Sequence, residues 1–279
     1  MNKYEKDLKF ARKLARQAGD ILEAGWQAAA GSLEVEYKGE VDLVTRFDRK
    51  SEEAITATIN KERPGDAILA EEGGAEGDGA RVWCIDPLDG TTNFAHGLPF
   101  FCVSISLLLE NEAVVGVVYN PALKMEFYAL KGGGSYFNGY LIPELEPGKK
   151  LSKALIGFGN GYDRRKNPQR YLPTIKNYMV SSQGIRRTGS AAFDCCLVAK
   201  GWLDGYVEVN LYPWDLAAGS LIASEAGARV SDVNGSEFNL FAGRIMMGKP
   251  HVHEEMVELA RKKDIFKREF SKTERKIEK

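Results

Sequence analysis

Residues 83–97 read Trp83-Cys84-Ile85-Asp86-Pro87-Leu88-Asp89-Gly90-Thr91-Thr92-Asn93-Phe94-Ala95-His96-Gly97. An apolar run leads into two acids three residues apart, and a glycine, two threonines and an asparagine follow at once. The run has the composition of a buried strand. Pro87 fixes one backbone dihedral and lacks an N–H, so the strand ladder is expected to end there, with the turn aiming Asp86 and Asp89 at one point. Two neighbouring carboxylates repel, so one must take up a proton or a cation must sit between them. A hard divalent ion such as Mg²⁺ suits that need, since it accepts one or two carboxylates together with waters and phosphate oxygens. Taken alone, Asp-x-x-Asp-Gly is also an ordinary tight turn, and for those few residues the turn is the simpler reading.

Acids elsewhere strengthen the metal reading. Glu71 and Glu72 follow the apolar residues 67–70, so a second probable strand end delivers a carboxylate. Asp215 stands just before a strong helical pattern in residues 212–227, YPWDLAAGSLIASEAG. By default such an Asp is an N-cap, yet it can cap with one oxygen and ligate with the other. Three element ends that each deliver an acid resemble a multi-metal phosphoryl-transfer site. Gly90, Thr91, Thr92 and Asn93 would then face the anion through backbone amides. Thr91 can also hold a water if something accepts its proton; Asp48 is a candidate, although an acid beside Arg49 reads more simply as a solvated helix residue. The three histidines, His96, His251 and His253, lie in a loop and in a polar C-terminal stretch, and no Gly-x-Ser-x-Gly elbow, Walker A loop or zinc motif is present.

The whole chain sets wider limits. Its 279 residues suffice for one large domain or two small ones, and 44% hydrophobic with 28% charged residues is ordinary for a soluble globular protein. A formal net charge of -1 provides no general field for nucleic acid or an acidic membrane, so neither is expected as a partner. The longest apolar run, residues 100–109, is too short to span a bilayer as a helix, and the charged N-terminus does not read as a targeting signal. Cys84, Cys102, Cys195 and Cys196 lack metal-site spacing and read as buried thiols in a reducing cytoplasm.

Periodicity predicts helices over residues 4–30, 45–60, 167–179, 190–200 and 216–226, and strands over 67–70, 101–109, 113–119, 125–130, 134–137, near 155, and 203–209. Glycine, proline and charge across residues 139–150 suggest a boundary between two lobes. The mixture argues for a layered α and β protein.

At this point the residues resemble a known family. WCIDPLDGTTNFAHGLPF (83–100) and WDLAAGSLIASEAG (214–227) are similar to the two signatures of the inositol monophosphatase family. LAEEGG (69–74) resembles its upstream acidic motif, and KGEVDLVTRFD (38–48) its N-terminal loop and helix. The resemblance covers most of residues 1–260. It implies an α+β fold, an alternating αβαβα sandwich, as a single domain over residues 1–279. The N-terminal lobe would cover about 1–148, the C-terminal lobe about 149–260, and a charged tail 261–279. It also implies Mg²⁺-dependent hydrolysis of phosphate monoesters, with two to three ions per site, Mn²⁺ as a substitute, and lithium sensitivity. By motif, Glu71, Asp86 and the Leu88 carbonyl would hold one metal, Asp86, Asp89 and Asp215 a second, and Glu71 a third through water. Thr91 with Asp48 would orient the attacking water, and Gly90, Thr91 and Thr92 would contact the phosphate, beside Asp89 and Asp215. Lys38 matches a loop position near the metals.

The segment RRTGSAAFD (186–194) resembles the part that meets the substrate ring, which places Gly189, Ser190 and Ala191 there. Glu208 matches an acid that accepts a polyol hydroxyl, the alternative being an acid on the outward face of an edge strand. Small polyol phosphates, inositol 1-phosphate first, are therefore the expected substrates, with fructose 1,6-bisphosphate, NADP or histidinol phosphate as alternatives. Tyr162, Arg164 and Arg165 could meet a second phosphate, or the arginines could be solvated or lie at a subunit contact. A homodimer is implied by the family alone. A mainly binding role with transcription or ribosome machinery is the competing class, with the basic tail from Arg261 onward as its one sequence feature.

Overall fold

The computed structural model describes residues 3–28, 35–37 and 43–266. Lys38 therefore lies outside the described residues, as do residues 267–279 of the charged tail. Leu8, Ala11, Leu14, Ala15, Ala18 and Leu22 recur at helical spacing and form the buried stripe of α1 (Glu5–Ala28). A short hairpin, β1 (Val35–Tyr37) with β2 (Leu43–Thr45), leads into α2 (Arg46–Glu62), which packs beside α1.

The first sheet contains β3 (Ala67–Ala70), β4 (Gly74–Glu76) and β5 (Arg81–Asp89). After the short helix α3 (Thr91–Ala95) come β6 (Cys102–Leu109), β7 (Glu112–Asn120), β8 (Met125–Leu130), β9 (Gly134–Phe137) and β10 (Tyr140–Leu141). Their order is β10-β9-β8-β7-β6-β5-β3-β4, and β3 beside β5 is the one parallel pair. The two-residue period of a strand sends Trp83, Ile85, Ile105 and Val115 toward α1 and α2, and Cys84, Val118 and Phe127 toward the opposite face.

The second sheet begins with β11 (Leu155–Phe158), followed by α4 (Leu172–Ser181), β12 (Gly184–Arg186), α5 (Ala191–Ala199), β13 (Gly205–Val209) and α6 (Pro213–Glu225). The chain then adds β14 (Arg229–Ser231), β15 (Arg244–Gly248) and α7 (Pro250–Lys262). The strand order β12-β11-β13-β15-β14 puts β13 at the centre. Helices α5 and α6 lie between the two sheets. A helix covered on both sides has no use for a polar face, and Pro213 to Ala223 are all buried. Tyr178, Val252 and Met256 of α4 and α7 pack against Ile156, Val207 and Met246 on the far side of the second sheet. The layers are thus α, β, α, β, α, as the sequence predicts.

Three local expectations change. Strand β5 does not end at Pro87: it pairs with β6 through Asp86 opposite Ser104, slips by one residue, and resumes with Asp89 opposite Cys102. The missing N–H of Pro87 falls inside this bulge, where no ladder bond is needed. The helix expected over 167–179 is a single 3₁₀ turn, Pro168–Arg170, followed by α4, with Pro173 in its first turn. Helix α6 starts earlier than residue 216, so Asp215 belongs to its first turn. The polar stretch that carries His251 and His253 is helix α7.

Candidate active site

The β5 bulge decides the geometry. Residues three apart in a regular strand face opposite sides, and one extra residue returns Asp89 to the side of Asp86. Carboxylate oxygens of Asp86, Asp89 and Asp215 then lie within 4.8 Å of one another, all buried. The Leu88 N–H donates to Asp86 Oδ1 at 2.9 Å. Parallel pairing of Ala70 with Ile85 places Glu71 next in line, beside Asp86, and the two carboxyls are within hydrogen-bonding reach.

Asp89 closes the N-terminus of α5. Its Oδ2 accepts from the Ser190 hydroxyl and the Ala192 N–H, each at 2.7 Å, and its Oδ1 from the Ala191 N–H at 3.2 Å. Asp215 is the third residue of α6, not its N-cap. Its Oδ2 accepts the N–H of the capping residue Tyr212 at 2.6 Å, which leaves the other oxygen for the cluster.

Burial raises the pKa of all three acids. Glu71, Asp89 and Asp215 add repulsion at Asp86, which stands well above the usual carboxylate range. Asp89 adds to Asp215, also well above that range. The donors around Asp89 oppose the rise there. None of the three carries an ion pair to lysine or arginine among the described residues, so charge must be balanced by protons or by a cation. The oxygen donor set fits a hard divalent ion.

Next to this cluster, the Thr91 hydroxyl lies 3.1 Å from both Asp48 Oδ1 and the Leu88 carbonyl. Asp48 is only 1% exposed, so it is not the solvated helix acid of the alternative reading. The Ser51 hydroxyl donates to the Pro87 carbonyl at 3.1 Å and ties α2 to the bulge. Gly90 caps α3 with φ +95°, and a Cβ there would stand 2.8 Å from the Phe100 carbonyl, so glycine is required. The first amides of α3, through Thr91 and Thr92, have no acceptor within so short a helix.

Glu208 lies on the central strand of the second sheet and is buried, which removes the edge-strand alternative. The Tyr206 hydroxyl donates to it, and burial pushes its carboxyl up to about 7. Its side chain covers Gly159, where a Cβ would overlap the carboxylate. Glu71, Asp86, Leu88, Asp89, Gly90, Thr91, Thr92, Glu208 and Asp215 line one cleft of about 230 Å³ together with Gly189, Ser190 and Ala191, and Asp48 stands behind Thr91. Tyr162 and Arg164 line it too, whereas Arg165 does not.

Sequence reading singled out none of Gly159, Arg187 and Asp194, and it placed Asn93 at the anion, whereas Asn93 does not line the cleft. The Asn93 amide donates to the Phe100 and Thr188 carbonyls at 2.6 and 2.8 Å, joining α3 to the segment before α5. Arg187 and Asp194 also line the cleft. The available signal was the single acid inside the otherwise apolar run of α5.

The sequence profile of the inositol monophosphatase family matches residues 3–264. The chain belongs to the inositol monophosphatase family. It is 38% identical to the inositol-1-monophosphatase of Mesorhizobium japonicum over 257 residues, which covers 91% of this chain and 93% of that one. It is also 38% identical over 252 residues to the Nus factor SuhB of Pasteurella multocida, with 90% and 94% covered. The crystal structure of the extragenic suppressor protein suhB from Bartonella henselae superposes with a TM-score of 0.87 at 35% identity, covering 92% of this chain and 99% of that one. The family is metal-dependent, and the cluster of Asp86, Asp89 and Asp215 is an acidic site able to hold a metal. No helix among the described residues is long and apolar enough to cross a membrane.

Proposed function

We propose that this chain hydrolyses phosphate monoesters of small polyols, with inositol 1-phosphate as the leading substrate and two to three Mg²⁺ ions as cofactor. The convergence of Asp86, Asp89 and Asp215 beside the Thr91–Asp48 pair carries the reading. Asp86, Asp89, Asp215, Glu71 and the Leu88 carbonyl would hold the ions. Bound there, they supply charge neutralisation for phosphate oxygens and lower the pKa of water.

The chain's own groups do the rest. A hydroxyl has one proton, so Thr91 donates either to Asp48 or to the Leu88 carbonyl. Donation to Asp48 turns the Thr91 lone pairs toward a water, whose proton passes through Thr91 to the buried carboxylate as the water attacks phosphorus; the P–O bond to the alcohol breaks in the same displacement, and the departing alcohol oxygen takes its proton from solvent. Gly90 and the first amides of α3 receive the phosphate oxygens. Glu208 accepts a hydroxyl of the alcohol. Ser190 and Ala191 act on the substrate by fixing Asp89. In purified, folded Asp89→Asn or Asp215→Asn protein, Mg²⁺-dependent turnover is expected to be lost; near-normal turnover would sink the assignment.

A second reading has its own support. Arg164 and Arg187 line the cleft, and their guanidinium groups have no hydrogen-bond or ion-pair partner among the described residues. Burial, then the charge of Arg187, lowers the pKa of Arg164. Such a pair suits a second phosphate, as in fructose 1,6-bisphosphate or NADP. Turnover of inositol 1-phosphate, fructose 1,6-bisphosphate, NADP and histidinol phosphate, measured side by side, decides between them. Relatives named Nus factor SuhB support a binding role as well, for which a stoichiometric pull-down partner with negligible phosphatase activity would be the mark.

A further inference from the structure

One buried acid of the cleft has no task in this scheme. Asp194 lies in the first turn of α5, is 1% exposed, and lines the cleft. Among the described residues its Oδ1 has no hydrogen-bond partner, and neither has Thr188 Oγ1. Asn160, which lines the same cleft, also has its Oδ1 unpartnered among the described residues. An acceptor buried without a donor costs stability, so folding alone gives no reason to keep an acid here. Burial holds the Asp194 carboxyl well above its usual range; the Thr188 hydroxyl opposes that rise, Glu208 and Asp89 add to it, and Arg187 opposes it. Asp194 therefore shares its surroundings with Glu208, the acid that faces the alcohol.

We propose that Asp194 is a specificity residue that accepts a second substrate hydroxyl, so that Asp194 and Glu208 together read a polyhydroxylated alcohol at two positions. This rests on the polyol-phosphate reading above. The first turn of α5 serves both ends of the ligand. Ser190, Ala191 and Ala192 hold Asp89 at the phosphate end, while the Asp194 N–H bonds to the Ser190 carbonyl at 3.0 Å and fixes Asp194 one turn further along. Glu208 reaches the same cleft from β13. A site built to bond a hydroxyl rejects an analogue lacking it, because the buried acceptor is then left empty.

The test uses Asp194→Asn, which keeps the shape, and Asp194→Ala, which removes the acceptor. For each, kcat and KM are measured with inositol 1-phosphate, its monodeoxy analogues and phenyl phosphate, and Tm is measured without ligand. The preference for inositol 1-phosphate over phenyl phosphate is expected to fall about tenfold, through KM rather than kcat. One monodeoxy analogue, rejected by the wild type, is expected to be handled like the parent by Asp194→Ala. Tm is expected to hold or rise, since an unpaired buried acid is removed. Equal losses on both esters with a lower Tm would show a structural role and overturn the proposal, as would an unchanged preference. A wild-type protein inert toward every ester overturns the phosphatase reading, and the proposal with it.

Discussion

Glu208, an acid of the candidate cleft, shows how a single residue can stand against folding. A glutamate titrates near about 4.3 when unfolded, and in the folded chain burial holds Glu208 at about 7. Between those values the folded state binds the extra proton, so its stability falls as pH rises through the window. Glu208→Gln is therefore expected to match wild type at low pH and to gain about 1–3 kcal/mol above about pH 7.5, read from denaturant unfolding without ligand. The same variant is expected to raise KM for inositol 1-phosphate. At this scale the acids themselves were legible, because Asp86, Asp89 and Asp215 sit in long motifs. Gly159 was not, since its necessity comes from a carboxylate far along the chain.

At the scale of the element, the bulge in β5 and the start of α6 matter most. The sequence reads Pro87 as a strand end, whereas the ladder resumes at Asp89 because β6 continues on the other side of the slip. No local signal tells a terminating proline from a bulged one; the partner strand decides. The C-terminal helix α7 makes the same point. His253 reads as a polar residue in a polar stretch, yet it is buried, with its Nε2 2.8 Å from the Ser231 hydroxyl of β14. Burial, then the nearby Arg229, lowers its pKa to about 4, with Glu254 opposing. The unfolded state takes up this proton first, so the stabilisation is full above about pH 6.5 and is lost as pH falls through about 4. His253→Gln is expected to flatten the stability loss on acidification by about 1–2 kcal/mol, measured by unfolding at several pH values.

At the scale of the whole molecule, the candidate site is the place where the layers meet. The end of β3 delivers Glu71, the bulge of β5 delivers Asp86 and Asp89, α2 delivers Asp48, α6 delivers Asp215 and β13 delivers Glu208. Repulsion among buried carboxylates works against this convergence, and a bound cation relieves it. Mg²⁺ at about a hundred times its Kd is expected to raise Tm by roughly 5 °C. Chelation should reverse the rise, and Asp215→Asn should largely abolish it. A Tm indifferent to Mg²⁺ would contradict the metal site.

The sequence by itself determined the layered class, most helices and strands, and the acids of the site. Those follow from local periodicity and from long motifs, which a chain carries in its own order. Tertiary structure decided which carboxylates share one face, that Glu208 points inward, and that Asp194 and Arg187 border the same cleft. Each of these depends on the register of a partner strand or the phase of a helix packed from elsewhere, and such distances are set only when the two sheets close over α5 and α6.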